Sequence, residues 1–584
     1  MLREFVTLFP YFYRYRFRYL AGFLCLAVAS GGQMIIPQIL REAVDIMTVG
    51  NFSAGDIAVL FRNLLIVAGC ISVARFGWRY FIHGSSRRIE AELRGRLFNH
   101  LLVLDAGFFA GQKTGELMAR STNDMYAVRM ASGMALVALV DGIFMTLVIL
   151  VILFREAPAL TLYVVLPLPF ITILIIMLGT VVGRRFKRVQ EAFASLSAQT
   201  QESVTGVRVI KSFVKEAYFL KKFGRENDVY LRANIDLVRL WGLFRPGIAF
   251  LSGITGVLLL YFGGNAVLAG NLSPGLLVAI FSYLEMLIWP MIGAGFTVNM
   301  LQRGAAALRR INDVLGQKPA IASKKGSVQE APAGDVRVRG FSFRYGPDLP
   351  WVLRDLRFDI PAGKTFGILG RTASGKTSLI SVLPRIYDPP EGTVFFGGTD
   401  GETDILDYDV ASLRGAFGVV TQETFLFSDS IRGNIAFGAS RELSEGEIQR
   451  LADISTISRD ALGFPNGLET QIGERGLTLS GGQKQRIAIS RALAGDPRVL
   501  ILDDALSAVD TETEEKILER VLALRQGKTN IIISHRIRAL SFCDFIIVLD
   551  GGTISQRGTH RELLSQPGFY RDIHALQTSG GPGR

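Results

Sequence analysis

Cysteine is scarce in this chain, with only Cys25, Cys70 and Cys543 among 584 residues. Two of the three lie in apolar stretches, so neither a disulfide framework nor a cysteine metal site is implied. Histidine is nearly as rare, at five, which gives weight to any histidine found beside a phosphate-binding pattern. Charged residues reach only 20%, whereas hydrophobic residues make up 49%. That balance argues against a wholly soluble protein and for a membrane part. A formal net charge of +12 could point to nucleic acid, but basic residues beside apolar spans also serve to orient a membrane protein, and the spans favour that reading: no nucleic-acid partner is expected.

Long hydrophobic runs are abundant. About 20 apolar residues cross a bilayer core, and six stretches qualify: 19–40, 57–83, 133–154, 158–182, 243–269 and 275–300. The start, MLREFVTLFPYFYRYRFRY, mixes arginine with aromatics and suits a helix in the headgroup region. The apolar run after it is too long for the core of a cleavable signal. Between spans two and three, and between four and five, the segments are long and basic, with Arg87, Arg88, Arg94 and Arg96 in one and Arg184, Arg185, Lys187 and Arg188 in the other. The positive-inside rule therefore puts these segments, the N-terminus and everything after residue 300 on the cytoplasmic side of a cytoplasmic (inner) membrane. Within 183–242 the helical apolar spacing continues past the membrane boundary, as in stalks that extend into the cytoplasm. Arg75, Asp141 and Glu285 are costly in lipid and should face a partner, a water-filled cavity or a boundary. Phe281, Tyr283, Met286 and Trp289 could line an apolar path, although an aromatic helix face is more often packing.

Residues 1–315 thus read as a membrane domain, 316–335 as a polar linker, 336–575 as an α/β domain of short strands alternating with helices, and 576–584 as a flexible tail. In the α/β part a short apolar strand leads into Gly370, Arg371, Thr372, Ala373, Ser374, Gly375, Lys376 and Thr377, followed by Ser378 and a helix. Backbone N–H groups of such a loop cradle phosphate oxygens, the lysine neutralises the β and γ phosphates, and the Thr377 hydroxyl can ligate Mg²⁺. Downstream, Val499–Leu502 is an apolar run ending in Asp503 and Asp504, where a carboxylate can hold Mg²⁺ directly or through water.

Between these motifs lies Leu479-Ser480-Gly481-Gly482-Gln483-Lys484-Gln485-Arg486, and here the chain resembles the ABC transporter family, exporter type. The likeness spans essentially the whole chain. It implies six transmembrane helices with long cytoplasmic extensions fused to a P-loop ABC ATPase domain, with ATP and Mg²⁺ as cofactors. By this resemblance Tyr345 stacks on adenine, Gln422 reaches both Mg²⁺ and the transmembrane helices, and His535 contacts the γ-phosphate. Asp510 communicates across a dimer, and Ser480, Gly481, Gly482 and Gln483 cover ATP held by the other subunit. Residues 108–129 resemble the first cytoplasmic contact with a nucleotide domain, 206–213 the second, and 469–476 the loop that senses them.

Two positions depart from the family pattern. Active members usually carry glutamate where this chain has Asp504, and glycine where it has Ala373. The implied function is ATP-driven export of a hydrophobic or amphipathic substrate, lipid, drug or peptide, by one half of a dimer. Asp504 favours a heterodimer in which this chain's own ATP site is slow. A homodimer that hydrolyses slowly with aspartate, or a nucleotide-gated regulatory subunit, are the alternatives.

Overall fold

A computed structural model describes residues 2–49, 53–398, 401–473 and 479–579. They form two compact units: 1–102 with 114–317, and 103–113 with 318–584.

The first unit is helical. Its main elements are α1 (Arg16–Val49), α2 (Ala54–Trp78), α3 (Leu136–Glu156), α4 (Pro158–Val165), α5 (Leu168–Thr205), α6 (Val207–Ser212), α7 (Glu216–Leu258) and α8 (Pro274–Leu315). Ser53 starts α2 through a capping box with Asp56, satisfying amides that a helix start otherwise leaves open. Among the described residues five helices are long and apolar enough to cross a membrane. The expected crossing at 158–182 is not one helix: α4 and α5 are separated at Leu166 and Pro167, because proline withholds an amide and Pro169 follows closely. With 42 residues, α8 is about 63 Å long at 1.5 Å per residue, roughly twice a hydrocarbon core. Such helices continue well beyond a bilayer.

The core of this unit joins Met145, Ile149 and Leu153 of α3 to Ile280, Tyr283, Leu284 and Leu287 of α8. Two polar groups in this core are paired: Tyr283 Oη donates to the Met34 carbonyl at 2.8 Å, and Ser30 of α1 donates to Asp141 of α3. At one end Asp45 accepts from the Gly275 amide at 2.8 Å and the Ser273 hydroxyl at 2.9 Å. In the extension of α8, Arg310 grips Asp124 with two hydrogen bonds of 2.9 and 2.5 Å.

The second unit has two sheets. Strands β1 (Asp335–Phe343), β2 (Leu353–Ile360), β4 (Val394–Gly398) and β5 (Gly401–Asp404) form an antiparallel sheet in the order β2-β1-β4-β5. Strands β3 (Thr365–Gly370), β6 (Phe417–Val420), β7 (Val499–Asp503), β8 (Thr529–Ile533), β9 (Phe545–Asp550) and β10 (Thr553–Gly558) form a six-stranded sheet ordered β10-β9-β3-β8-β7-β6. All of its pairs are parallel except β9 with β10. Val499 and Ile501 face one core with Phe366 and Ile531, while Leu500 and Leu502 face another with Ile489 and Ile532. Burial on both faces explains the uninterrupted apolar runs in these strands.

Three segments differ from the sequence expectation. The polar stretch 316–335 is not a free linker: Val328 pairs with Tyr408, Ser323 and Lys324 bond to Asp409 and Asp407, and Asp335 already belongs to β1. Only the first part of 108–129 joins the second unit, where Asp105 accepts from the Ala320 amide at 2.9 Å. Residues 576–579, expected in a flexible tail, complete the helix Phe569–Ser579 because Gln577 is fixed by two hydrogen bonds; 580–584 lie outside the described residues.

Candidate nucleotide site

The parallel strands bring their C-terminal ends to one edge, where open α/β sheets place ligands. From β3 the chain turns through 371–375 into α9 (Lys376–Val382). The turn needs unusual backbone: Ala373 has φ +64° and Gly375 φ +95°. At Gly375 a Cβ would lie 2.4 Å from the Leu353 side chain, and at Gly370 it would meet the Leu549 carbonyl at 2.6 Å. Glycine is required at both. Arg371, Thr372 and Ala373 are exposed, whereas Ser374, Gly375, Lys376 and Ser378 are buried.

Lys376 Nζ turns back onto the Gly370 and Arg371 carbonyls, each at 2.9 Å. Burial pulls its pKa below the usual lysine range, opposed by the charges of Asp504 and Asp503. Next to it, Thr377 Oγ1 donates to Asp503 Oδ2 at 3.1 Å. Burial pushes Asp503 up from the ordinary carboxylate range, while the Thr377 hydroxyl and the Lys376 charge pull the other way. Ser374 Oγ is buried without a hydrogen-bond partner. A charged lysine folded onto carbonyls, an orphaned hydroxyl and a ring of loop amides fit a bound phosphate chain. For Mg²⁺, Thr377 and Asp503 supply two adjacent oxygens. Among the described residues no cluster of three histidine, cysteine or acidic groups exists; phosphate oxygens and water ordinarily supply most of the remaining ligands of this ion.

Asp504 begins the turn after β7 with φ +46°, a region that aspartate enters more readily than most residues. Its carboxylate faces His535: Oδ2 lies 3.2 Å from Nε2, and Oδ1 accepts from the His535 amide at 3.3 Å. One short side chain is thus committed to orienting the histidine. Tyr345 is 46% exposed and shares a 2.7 Å hydrogen bond with Ser378. Gln422 is exposed in the bend after β6.

The serine-glycine segment is built separately. Ser480 caps α10 (Gly481–Ala494) through a capping box with Gln483, and Gln483 Nε2 reaches Asp460 at 3.0 Å. Gly482 lies so close to the next loop that a Cβ would be 2.8 Å from the Ala508 carbonyl. No hydrogen bond joins Ser480–Gln483 to the Gly370–Ser378 loop among the described residues. Asp510 caps α11 (Thr511–Leu524) by accepting from the Thr513 amide at 3.0 Å, which holds its carboxyl below the usual range. In 469–476, residues 474–476 lie outside the described residues.

Several supporting residues were invisible to motif reasoning. Gln485 is buried and donates to the Asp504 carbonyl at 3.3 Å and Ser507 at 3.0 Å, while accepting from the Ala508 amide at 3.0 Å. Gln577, on α12 (Phe569–Ser579), donates to the His535 carbonyl at 2.7 Å and accepts from the Ile537 amide at 2.9 Å. On the same helix Phe569 lies under the Arg371 guanidinium at 5.0 Å. Gln485 sits within the quoted signature and could have been flagged there. Nothing local marks Gln577.

A nucleotide-type loop on a parallel sheet, fused to a unit of membrane-length helices, defines a P-loop ATPase attached to a multi-pass membrane protein. The chain belongs to the ABC transporter family. Residues 19–291 match the family model described as ABC transporter transmembrane region, and 353–507 the one described as ABC transporter. It is 36% identical over 569 residues to the probable multidrug resistance ABC transporter ATP-binding/permease protein YheI of Bacillus subtilis, covering 97% of this chain and 96% of that one. It is 35% identical to the multidrug resistance-like ATP-binding protein MdlA of Escherichia coli, covering 99% and 97%. With the ATP-dependent lipid A-core flippase of Idiomarina loihiensis it shares 31% identity, covering 99% and 98%. The structure of a bacterial Atm1-family ABC exporter with ATP bound superposes with a TM-score of 0.77 at 25% identity, covering 97% of this chain and 99% of the other. The protein is therefore an ABC exporter with membrane and ATPase domains on one polypeptide, coupling ATP hydrolysis to transport.

Proposed function

We propose that this chain is one half of a heterodimeric exporter for hydrophobic or amphipathic compounds, and that its own ATP site is the slower of two. The named relatives, multidrug proteins and lipid A-core flippases, support an apolar cargo. In this reading Tyr345 stacks on adenine, residues 370–378 hold the phosphates, and Thr377, Asp503 and Gln422 complete the Mg²⁺ shell with phosphate oxygens and water. His535 meets the γ-phosphate, and Ser480–Gln483 cover the nucleotide bound by the companion chain. Mg²⁺, when bound, neutralises charge that develops on the phosphates.

The carrying observation is Asp504, whose two carboxylate oxygens face His535. Glutamate could reach farther by one carbon–carbon bond, about 1.5 Å, and an error of about 1 Å at a reacting centre can cost a hundredfold. The intact Ser480–Gln483 cap supports a competent site on a partner that carries glutamate. Support for a dimer also comes from the tip between two long helices, α6 and the two residues after it, which leaves Val209 61%, Phe213 70% and Val214 81% exposed, a patch suited to a second chain. With the basic segments inside, the ATPase domain is cytoplasmic and the assembly sits in the inner membrane.

Affinity purification from the native membrane tests this reading. A second, glutamate-bearing half-transporter in equal amount is expected. A single polypeptide with robust ATPase activity refutes the asymmetric assembly.

A further inference from the structure

Two of the ionisable residues in or beside the spans differ sharply in their surroundings. Asp141 is tied to Ser30 across two helices. Glu285 is exposed on α8 and makes no hydrogen bond or ion pair among the described residues. It follows Pro274, the first residue of α8, by about 16 Å at 1.5 Å per residue, close to the middle of a hydrocarbon core of about 30 Å. At about 100° per residue, Phe281 and Trp289 stand one turn away on either side and within about 40° of the same direction. Both are open, at 46% and 76% exposure, as is Phe296 at 59% farther along the stripe. The opposite side of the helix, with Tyr283, Leu284 and Leu287, is buried in the core. Beside Phe281 lies Gly256 of α7, where even a Cβ would only touch the ring at 3.8 Å, so at that position the neighbouring helix presses no side chain onto the ring.

A carboxylate facing lipid at that depth is costly, so the stripe must look toward a cavity or a partner. Its composition selects the occupant. An anionic group between two aromatic rings complements a lipophilic cation: the carboxylate supplies charge and the ring faces supply cation–π attraction. We propose that Glu285, between Phe281 and Trp289, is a recognition subsite for lipophilic cations on the transport path. The proposal rests on the export reading above and adds a substrate class to it.

Two probes of matched shape and different charge test it: tetraphenylphosphonium, a permanent cation, and neutral triphenylphosphine oxide. Each is titrated as a stimulator of ATPase activity on the assembly purified from its own membrane and placed in nanodiscs. Glu285→Gln is expected to raise the half-maximal tetraphenylphosphonium concentration about tenfold while leaving the oxide response and basal ATPase rate unchanged. Glu285→Asp should recover most of the cation response, and Trp289→Ala should weaken it about threefold. An equal change for both probes, no change for either, or dissociation of the Glu285→Gln assembly on size-exclusion chromatography overturns the subsite. Equilibrium dialysis of tetraphenylphosphonium without ATP separates the two levels of the argument. Inactive wild-type ATPase would count against the export reading, whereas undiminished cation binding to Glu285→Gln would count against the subsite alone.

Discussion

Asp504 joins backbone strain to chemistry in one residue. Its φ of +46° costs most L-residues roughly 1–2 kcal/mol, and aspartate bears it better than glutamate. Asp504→Glu is therefore expected to lower thermal stability slightly, by about 2–4 °C per kcal/mol of strain, while raising hydrolysis at this site by tenfold or more as the longer carboxylate reaches the attacking water. ATPase assays beside thermal unfolding read both effects. A variant equally stable and no faster would mean that side-chain length does not limit the reaction. Ala373 is the milder departure. It already occupies φ +64°, the conformation for which glycine is usually chosen, so Ala373→Gly should change nucleotide affinity less than threefold in an equilibrium titration.

At the scale of elements, α12 is the unexpected contributor. Through Gln577 it holds the backbone on both sides of Arg536, and through Phe569 it touches Arg371 of the phosphate loop. Each hydrogen bond is worth about 1 kcal/mol net. Gln577→Ala should therefore slow hydrolysis at this chain's own site about threefold to tenfold by loosening His535, as read by single-turnover hydrolysis at that site, with nucleotide binding intact. A loss of binding in step with turnover would instead indicate damage to the whole domain. The sequence could not reveal this helix as part of the site, because its hydrogen bonds link positions 42 and 40 residues apart and TSGGPGR reads as a tail. Local motifs fared better. The strand–loop–helix at 365–382 and the strand ending in Asp503 fall where spacing placed them, since each is fixed by neighbouring residues. Membrane spans were legible by hydropathy, yet the break at Leu166 and Pro167 was passed over because a window average dilutes two prolines.

For the whole molecule, the two halves of the nucleotide machinery in this chain serve different ATP molecules in the proposed assembly. Lys376 would act on the ATP this chain holds, and Gly482 on the ATP its companion holds. Single substitutions can therefore be made to report on one site each. Lys376→Ala removes the charge that folds onto the Gly370 and Arg371 carbonyls. Gly482→Ala drives a methyl group to 2.8 Å from the Ala508 carbonyl, displacing the start of α10 from the loop that ends in Asp510. If Asp504 makes the first site slow, Lys376→Ala should leave most of the steady-state ATPase activity, within about threefold. Gly482→Ala should remove it by at least tenfold, because it spoils the faster site. In a homodimer either lesion would lie in every site and the two variants would lose activity together. Thermal unfolding of each purified assembly shows whether Gly482→Ala has merely unfolded the domain, and a Gly482→Ala assembly that melts normally but hydrolyses as fast as wild type would end the case for a shared, unequal pair of sites.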